Sequence, residues 1–522
     1  MADTSNPAQH ETGSVVIRMY KQGLGDCFLL TFTSAPTTKP VHVLIDCGVL
    51  QNTDREAEKM RSVVEDIRKT TDGKVDLLLV THEHWDHIAG FSHAEDYFKQ
   101  ERITFGRVWL SWAENLKDPL AQKVYDDLAR KKKTVKAALG LVAASGVQGR
   151  LRAAREDPTS RRMDDDLETC KSILGFLAMS DDEPALAAAK KPRPPGVSGM
   201  TLGATMDWLR TLVQPGDFYS PGERRELPGA PGVKVYTLGP PRDEDLIKKM
   251  DAIGEAGYAL QADRVSFLGV LDHLESGGAG PVPCPFEPRY AVTPEQAAAT
   301  PFFRENYGFP EDAFGDEGEA WRRIDDEWLV NGISQLAVQI DKRTNNSSFA
   351  VAFELPDGRT LIFPGDAQFG NWLSWDKLRF KDEARNVVPV TTQQLLHRAV
   401  FYKVGHHGSH NATRPATLHQ MTSGDLVAMI PTDEQFALQQ NKQGSWRMPA
   451  QELNDDLKKL TSGRILRADR TQKDLDAQGK AAHDGRWNEF HDSVHFADEP
   501  LLPDLDAKEF PLYVEYRIAY RR

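Results

Sequence analysis

"VTHEHWDHIAG", residues 80–90, sets three histidines and two acids in six consecutive positions directly after an apolar run. That run, "VDLLLV" at 75–80, is short and aliphatic and reads as a buried strand. Ligands in α/β architectures gather beyond the carboxyl ends of strands, so the cluster begins where a site is expected. In an extended chain alternate residues project to one side, and His82 and His84 can therefore grip one ion together. Asp86 and His87 lie past the turn and reach a second ion. The spacing predicts two adjacent metal positions.

Two distant segments repeat the pattern of an apolar strand ending in ligand-type side chains. "TLIFPGDAQ" (360–368) ends in Asp366, and "VFYKVGHHGSH" (400–410) ends in His406 and His407. Neutral imidazole and carboxylate suit Zn²⁺, Mn²⁺ or Fe. A carboxylate has two oxygens and can bridge ions about 3.5–4 Å apart, which makes Asp366 the candidate bridge.

The remaining composition bounds the answer more loosely. A chain of 522 residues holds two or three domains, or one fold with large insertions. Its formal net charge of −13 does not advertise nucleic-acid binding, although a local basic patch or bound cations can overcome that field. Cys27, Cys47, Cys170 and Cys284 form no C-x-x-C pair, so neither a zinc ribbon nor a disulfide framework is expected. The polar N-terminus lacks a secretory pattern, and no apolar stretch is long enough to span a bilayer. A cytoplasmic protein with no membrane partner is the expectation.

Along the chain, strands are expected at 14–20, 27–33, 41–48 and 75–82, with a helix over 53–70 whose apolar face carries Met60, Val63, Val64 and Ile67. Residues 112–232 turn Ala-, Lys- and Arg-rich and then Pro/Gly-rich at 181–199, which reads as a mainly helical insertion. Its basic run "ARKKKTVK" is a candidate nucleic-acid contact, set against the plainer reading of a solvated helix face. After a strand at 233–241 an irregular insertion runs over about 243–330. Strands are then expected at 334–341, 347–355, 359–366, 399–407, 425–431 and 464–470, with a hairpin turn at Asp357-Gly358.

"THEHWDHIAG" resembles the H-x-H-x-D-H signature of the metallo-β-lactamase superfamily. More narrowly, "KQGLGDCFLL", "VLIDCG", "TNNSSFAVAF", "FPGDAQ" and "KVGHHGS" resemble, in order, motifs of the nuclease-like domain of ComEC-type competence proteins. The resemblance implies an α/β fold, the four-layer αββα sandwich, built from 14–111 and 233–475. The helical insertion is 112–232, and 476–522 forms a C-terminal extension. It implies that His82 and His84 hold one divalent ion and Asp86 and His87 the other. Asp366 would bridge them, and His406 or His407 would complete the second position, with His406 favoured. Asp46 would stand behind the ligands and fix a histidine tautomer. Asp26, Asn346 and Ser348 would support the site, and His410 is a candidate proton donor. The family's membrane channel is missing, so DNA uptake is not implied.

Departures from the pattern matter as well. Many relatives supply a further His between the cluster and the bridging Asp, and here only His93 and His273 are available. Met448 stands where the family turn has His. The expected function is a metal-dependent hydrolase, foremost a phosphodiesterase or nuclease cleaving DNA with a metal-activated water that Asp86 orients. Two alternatives are a small-ester or lactone hydrolase on the same fold, and a partner-binding component of a multi-protein system such as phage defence, acting through the insertions.

Overall fold

The alternating strands pair into two sheets in a computed structural model that describes residues 12–34, 39–145, 161, 163–165, 167, 170, 173, 200–249, 292, 294–307, 327–440, 447–479 and 485–521. The first sheet draws on β1 (Thr12–Tyr20), β2 (Phe28–Thr33), β3 (Val41–Ile45), β4 (Lys74–Leu79), β5 (Thr104–Ser111) and β6 (Phe218–Tyr219). The second uses β7 (Arg224–Glu226), β8 (Lys234–Thr237), β9 (Val351–Glu354), β10 (Thr360–Phe363), β11 (Ala399–Lys403), β12 (Val427–Ile430) and β13 (Ile465–Arg467). The tail returns to the first sheet as β14 (Val494–Phe496) and β15 (Tyr513–Arg521). The strand orders are β14-β15-β1-β2-β3-β4-β5-β6 and β13-β12-β11-β10-β9-β8-β7.

Period-2 patterning decides what each face buries. Ile17, Phe28, Leu30, Val43 and Leu77 of the first sheet share one core with Val351, Phe353, Leu361, Phe363 and Phe401 of the second. Phe28 meets Phe363 edge-on at a centroid distance of 5.9 Å. The intervening residues Leu29, Leu44 and Leu78 face the other way, onto Met60, Val63, Val64 and Ile67 of the helix Glu56–Thr71. Full burial of each such side chain contributes about 1.5–3 kcal/mol. On the far side of the second sheet Ala352, Ile362, Tyr402 and Ala428 pack against Trp372, Leu395 and Leu457 from helices. The chain is thus a mixed α/β structure with two sheets and helices.

Parallel pairing places the site. β3 runs parallel to β4, and β10 to β11, so their carboxyl ends lie together. Asp46 follows β3, His82 follows β4, Asp366 follows β10, and His406 and His407 follow β11. The 355–359 hairpin forms as expected, with Gly358 at a φ of 88° and β9 antiparallel to β10.

One expectation needs correction. Residues 334–341 are not a strand but part of the helix Glu327–Asn346, whose Ile333, Leu336, Ala337 and Ile340 pack against Val124, Leu128 and Val135 of the helix Pro119–Ser145. Within the 112–232 segment, expected to be mainly helical, β6 joins β5 and β7 joins β8. The tail beyond 475 is woven into the first sheet, with β15 antiparallel to β1 over Thr12↔Arg521 to Tyr20↔Tyr513. The Pro/Gly-rich 181–199 stretch, His273 and most of the irregular insertion lie outside the described residues. Among the described residues, no helix is long and apolar enough to cross a membrane.

Candidate metal centre

The 80–87 segment leaves β4, turns at His84, and enters the helix Trp85–His93 with Asp86 and His87 in its first turn. Backbone hydrogen bonds lock this turn to two glycine-bearing loops: Asp26 N–H donates to the Asp86 carbonyl at 2.9 Å, and Cys47 N–H to the His87 carbonyl at 2.8 Å. The packing leaves no room for a side chain at Gly48, where a Cβ would stand 2.1 Å from the Asp86 carbonyl carbon. Local sequence therefore fixes the ligand turn through backbone contact.

Asp86, His87, Asp366 and His407 converge, with one ligand atom from each lying within 4.8 Å of all the others. His407 Nε2 is 2.8 Å from Asp86 Oδ2, and His87 Nε2 is 3.1 Å from Asp366 Oδ2. Both histidines are held from behind. His87 Nδ1 donates to Asp46 Oδ2 at 2.8 Å, and His407 Nδ1 donates to the Pro431 carbonyl at 2.7 Å. Each contact fixes the tautomer that leaves Nε2 free to bind a cation. Asp46 is itself pinned, accepting from Thr81 N–H at 2.8 Å and Thr81 Oγ1 at 2.6 Å.

His82 and His84 form the neighbouring half. His82 Nε2 lies 3.1 Å from His84 Nδ1, and the His82 and His87 rings are 4.1 Å apart. Ser348 Oγ contacts His82 Nδ1 at 3.2 Å and accepts from Asp366 N–H at 3.1 Å, tying the two segments together.

Other expected residues fall elsewhere. His406 contributes its backbone, whose N–H donates to Asp366 Oδ1 at 2.8 Å, while its ring Nδ1 pairs with Ser409 at 2.9 Å. The ring brought into the four-residue group is that of His407, where the sequence favoured His406. Asn346 holds the Lys249 carbonyl at 2.7 Å and accepts from Asn371 N–H at 3.0 Å, so it braces the frame and makes no described contact with a ligand. His410 is exposed. Asp46, His406 and His407 have φ values of 56°, 45° and 54°, a left-handed conformation that non-glycine residues adopt at a cost and that gathers at functional sites.

Two charged residues escaped the sequence reading. Lys403 is buried, and its ammonium pairs with Asp26, with Asp366 Oδ1 at 3.1 Å and with the Gly365 carbonyl at 3.0 Å. A second cluster, Asp26, Asp46 and His87, also lies within ligand distance. Lys403 already supplies its positive charge, so this cluster supports the site. Asp341, on the helix Glu327–Asn346, brings Oδ1 to 3.8 Å from His84 Nε2.

The two halves differ electrostatically. Burial opposes protonation of His87, but Asp366, Asp86, Asp26 and Asp46 outweigh it and raise its pKa well above the usual value. His407 is raised in the same way, burial being overcome first by its hydrogen bond to Asp86. Burial also works to raise Asp366, yet His87 and Lys403 hold it well below the usual carboxylate range. His82 and His84 go the other way: burial and neighbouring imidazoles push His82 well down, and burial brings His84 to about 3.

These residues fit divalent cations. Asp86 Oδ1, Asp366 Oδ2 and His87 Nε2 are buried without an aligned hydrogen-bond partner, a state that costs about 1–3 kcal/mol per group unless a cation satisfies it. A tetrahedral ion with bonds of roughly 2.0–2.2 Å keeps its ligands about 3.3–3.6 Å apart, and the four ligand atoms here lie within 4.8 Å of one another.

Residues 27–163 match the family model of the Metallo-beta-lactamase superfamily. Members of the metallo-beta-lactamase superfamily are mostly metal-dependent hydrolases. The matched segment contains Asp46 and the whole 82–87 cluster, while Asp366 and His407 come from beyond it and meet it through the fold. No curated protein matches the chain.

Proposed function

We propose that the chain is a two-cation hydrolase of phosphodiesters, with DNA as the foremost substrate, built on the four-layer αββα sandwich with a helical insertion. The observation that carries the hydrolase reading is the convergence of Asp86, His87, Asp366 and His407 from three strand ends. His82 and His84 would hold one divalent cation, and Asp86, His87 and His407 the other, with Asp366 between them. Zinc or manganese suits this donor set. Such ions, when bound, lower the pKa of water and neutralise charge gathering on phosphoryl oxygens.

The chain's own residues do the rest. Asp46 and the Pro431 carbonyl aim the His87 and His407 rings inward. Lys403 and His406 N–H occupy Asp366 Oδ1 and leave Oδ2 for the centre. Asp86, with Oδ1 uncommitted, is placed to accept a proton from an attacking water and to orient it. No Ser or Cys nucleophile is required.

The order of the competence-type motifs supports the phosphodiester substrate. One observation favours the small-ester alternative instead: Lys132 of the basic run is turned to Glu83 at 2.5 Å and Lys131 to Asp127 at 3.1 Å, so neither is offered to a phosphate backbone. Assays with Mn²⁺ or Zn²⁺ on single- and double-stranded DNA, RNA, a generic phosphodiester and a simple lactone separate these readings. Nuclease activity should fall steeply with salt, whereas ester cleavage should not. Cleavage by Asp86→Ala at the wild-type rate would refute the proposal. The cytoplasmic setting and protein partners reached through the insertions belong to the same proposal, and co-purification from cell extract tests the latter.

A further inference from the structure

The two halves of the centre are backed differently, and the difference exposes a role for Asp341. The two nitrogens of an imidazole diverge, so a ring that binds an ion through one presents the other to whatever lies behind it. His84 turns Nδ1 toward His82 Nε2 at 3.1 Å and Nε2 toward Asp341 Oδ1 at 3.8 Å. The carboxylate thus lies on the side of the ring opposite the nitrogen that His82 faces.

Asp341 is itself oriented. Asn345 Nδ2 donates to Asp341 Oδ2 at 3.3 Å, which leaves Oδ1 buried and without a hydrogen-bond partner. The helix carrying it is anchored nearby, with Arg343 paired to Asp127 of the helix Pro119–Ser145. Asp341 is held in place by packing that lies apart from the strand ends supplying the ligands.

We propose that Asp341 is the orienting carboxylate of His84: it accepts a hydrogen bond from Nε2–H, directs Nδ1 to the ion shared with His82, and does for that half what Asp46 does for His87. The proposal rests on the two-cation reading. It makes Asp341 a positioning residue delivered by a helix outside the 27–163 segment. The 3.8 Å separation is longer than the 2.8 Å of the Asp46–His87 contact, and contacts of this kind commonly tighten when the site is filled.

Cobalt(II) is the probe. Full-length wild type, Asp341→Ala, Asp341→Asn and His84→Ala are loaded with Co²⁺, and binding is followed by metal analysis and by visible absorption, with circular dichroism as the fold control. Asp341→Ala should lose roughly 10–100-fold in affinity for one of two ions, the cost usual for removing such a partner. The absorption band it alters should be the one abolished by His84→Ala. Asp341→Asn keeps an oxygen acceptor of similar size and the native fold, and should fall between wild type and Asp341→Ala. Wild-type affinity for both ions in both Asp341 variants overturns the proposal, as does a change confined to a band that His84→Ala leaves intact. A wild type that takes up no cobalt refutes the two-cation reading itself, and is distinguished by that control alone.

Discussion

The carboxylate half of the centre, Asp86, His87, Asp366 and His407, and the imidazole half, His82 and His84, sit a few ångströms apart and obey opposite electrostatics. In the first, acids surround the rings and hold protons on them. In the second, burial and neighbouring rings expel protons. A cation entering the first half would compete with protons that the surrounding acids favour, while the second presents rings that burial keeps neutral. The lesson is that neighbouring groups of ligand-type side chains can differ in how strongly each holds protons, although both draw on the same six-residue stretch.

The harshest way to break this comparison is Asp366→Ala, which removes the carboxylate lying between the halves. Hydrolysis should fall by about 10²–10³-fold or more, the loss typical when a charge-stabilising group is removed, and metal analysis should show cations lost. Next, Asp46→Asn should weaken cation affinity at the His87 half by roughly 10–100-fold and leave the His82–His84 ion in place, as read by Co²⁺ titration. Equal loss at both positions would mean that the halves are not separable. Gly48→Ala adds a methyl group against the Asp86 backbone; overpacking of this sort costs about 1–3 kcal/mol, measurable by denaturant titration.

The protonation contrast sharpens the same point. Because His87 is raised above the usual histidine pKa, filling its half near neutral pH must release at least one proton. Affinity there should therefore increase with pH. His82 and His84 are lowered, so their half should release none and show a flat dependence from about pH 6 to 8. Calorimetry in buffers of different ionisation enthalpy reads both. The smallest effect is expected from His410→Ala: an exposed ring on the loop after the ligands should leave cation binding unchanged and alter turnover by no more than about twofold.

Much of this was legible because short-range chemistry dictated it. The H-x-H-x-D-H spacing, the apolar runs before it and before Asp366, and the amphipathic helix Glu56–Thr71 all follow from local periodicity. Where local pattern was ambiguous, the reading failed. "SQLAVQID" alternates Leu336, Val338 and Ile340 like a strand, and only a longer window reveals the helical spacing of Ile333, Leu336, Ala337, Ile340 and Thr344, all of them buried. With that window Asp341, four residues after Ala337, would have appeared as an acid beside a buried face. The choice between His406 and His407 was out of reach, since adjacent identical residues differ only in backbone geometry. Lys403 carried a faint signal, a lysine ending the buried strand β11.

The pairing of β1 with β15 has a bearing on how the molecule is made. Arg18 hydrogen-bonds Glu515 at 2.8 Å across a sequence separation of 497. At a synthesis rate of about 5–20 residues per second, one margin of β1 waits roughly 25–100 s for its neighbour to emerge from the ribosome. During that interval its unpaired amides are available to any passing chain. Expression yield should therefore depend on β15, a strand far in sequence from the 82–87 turn.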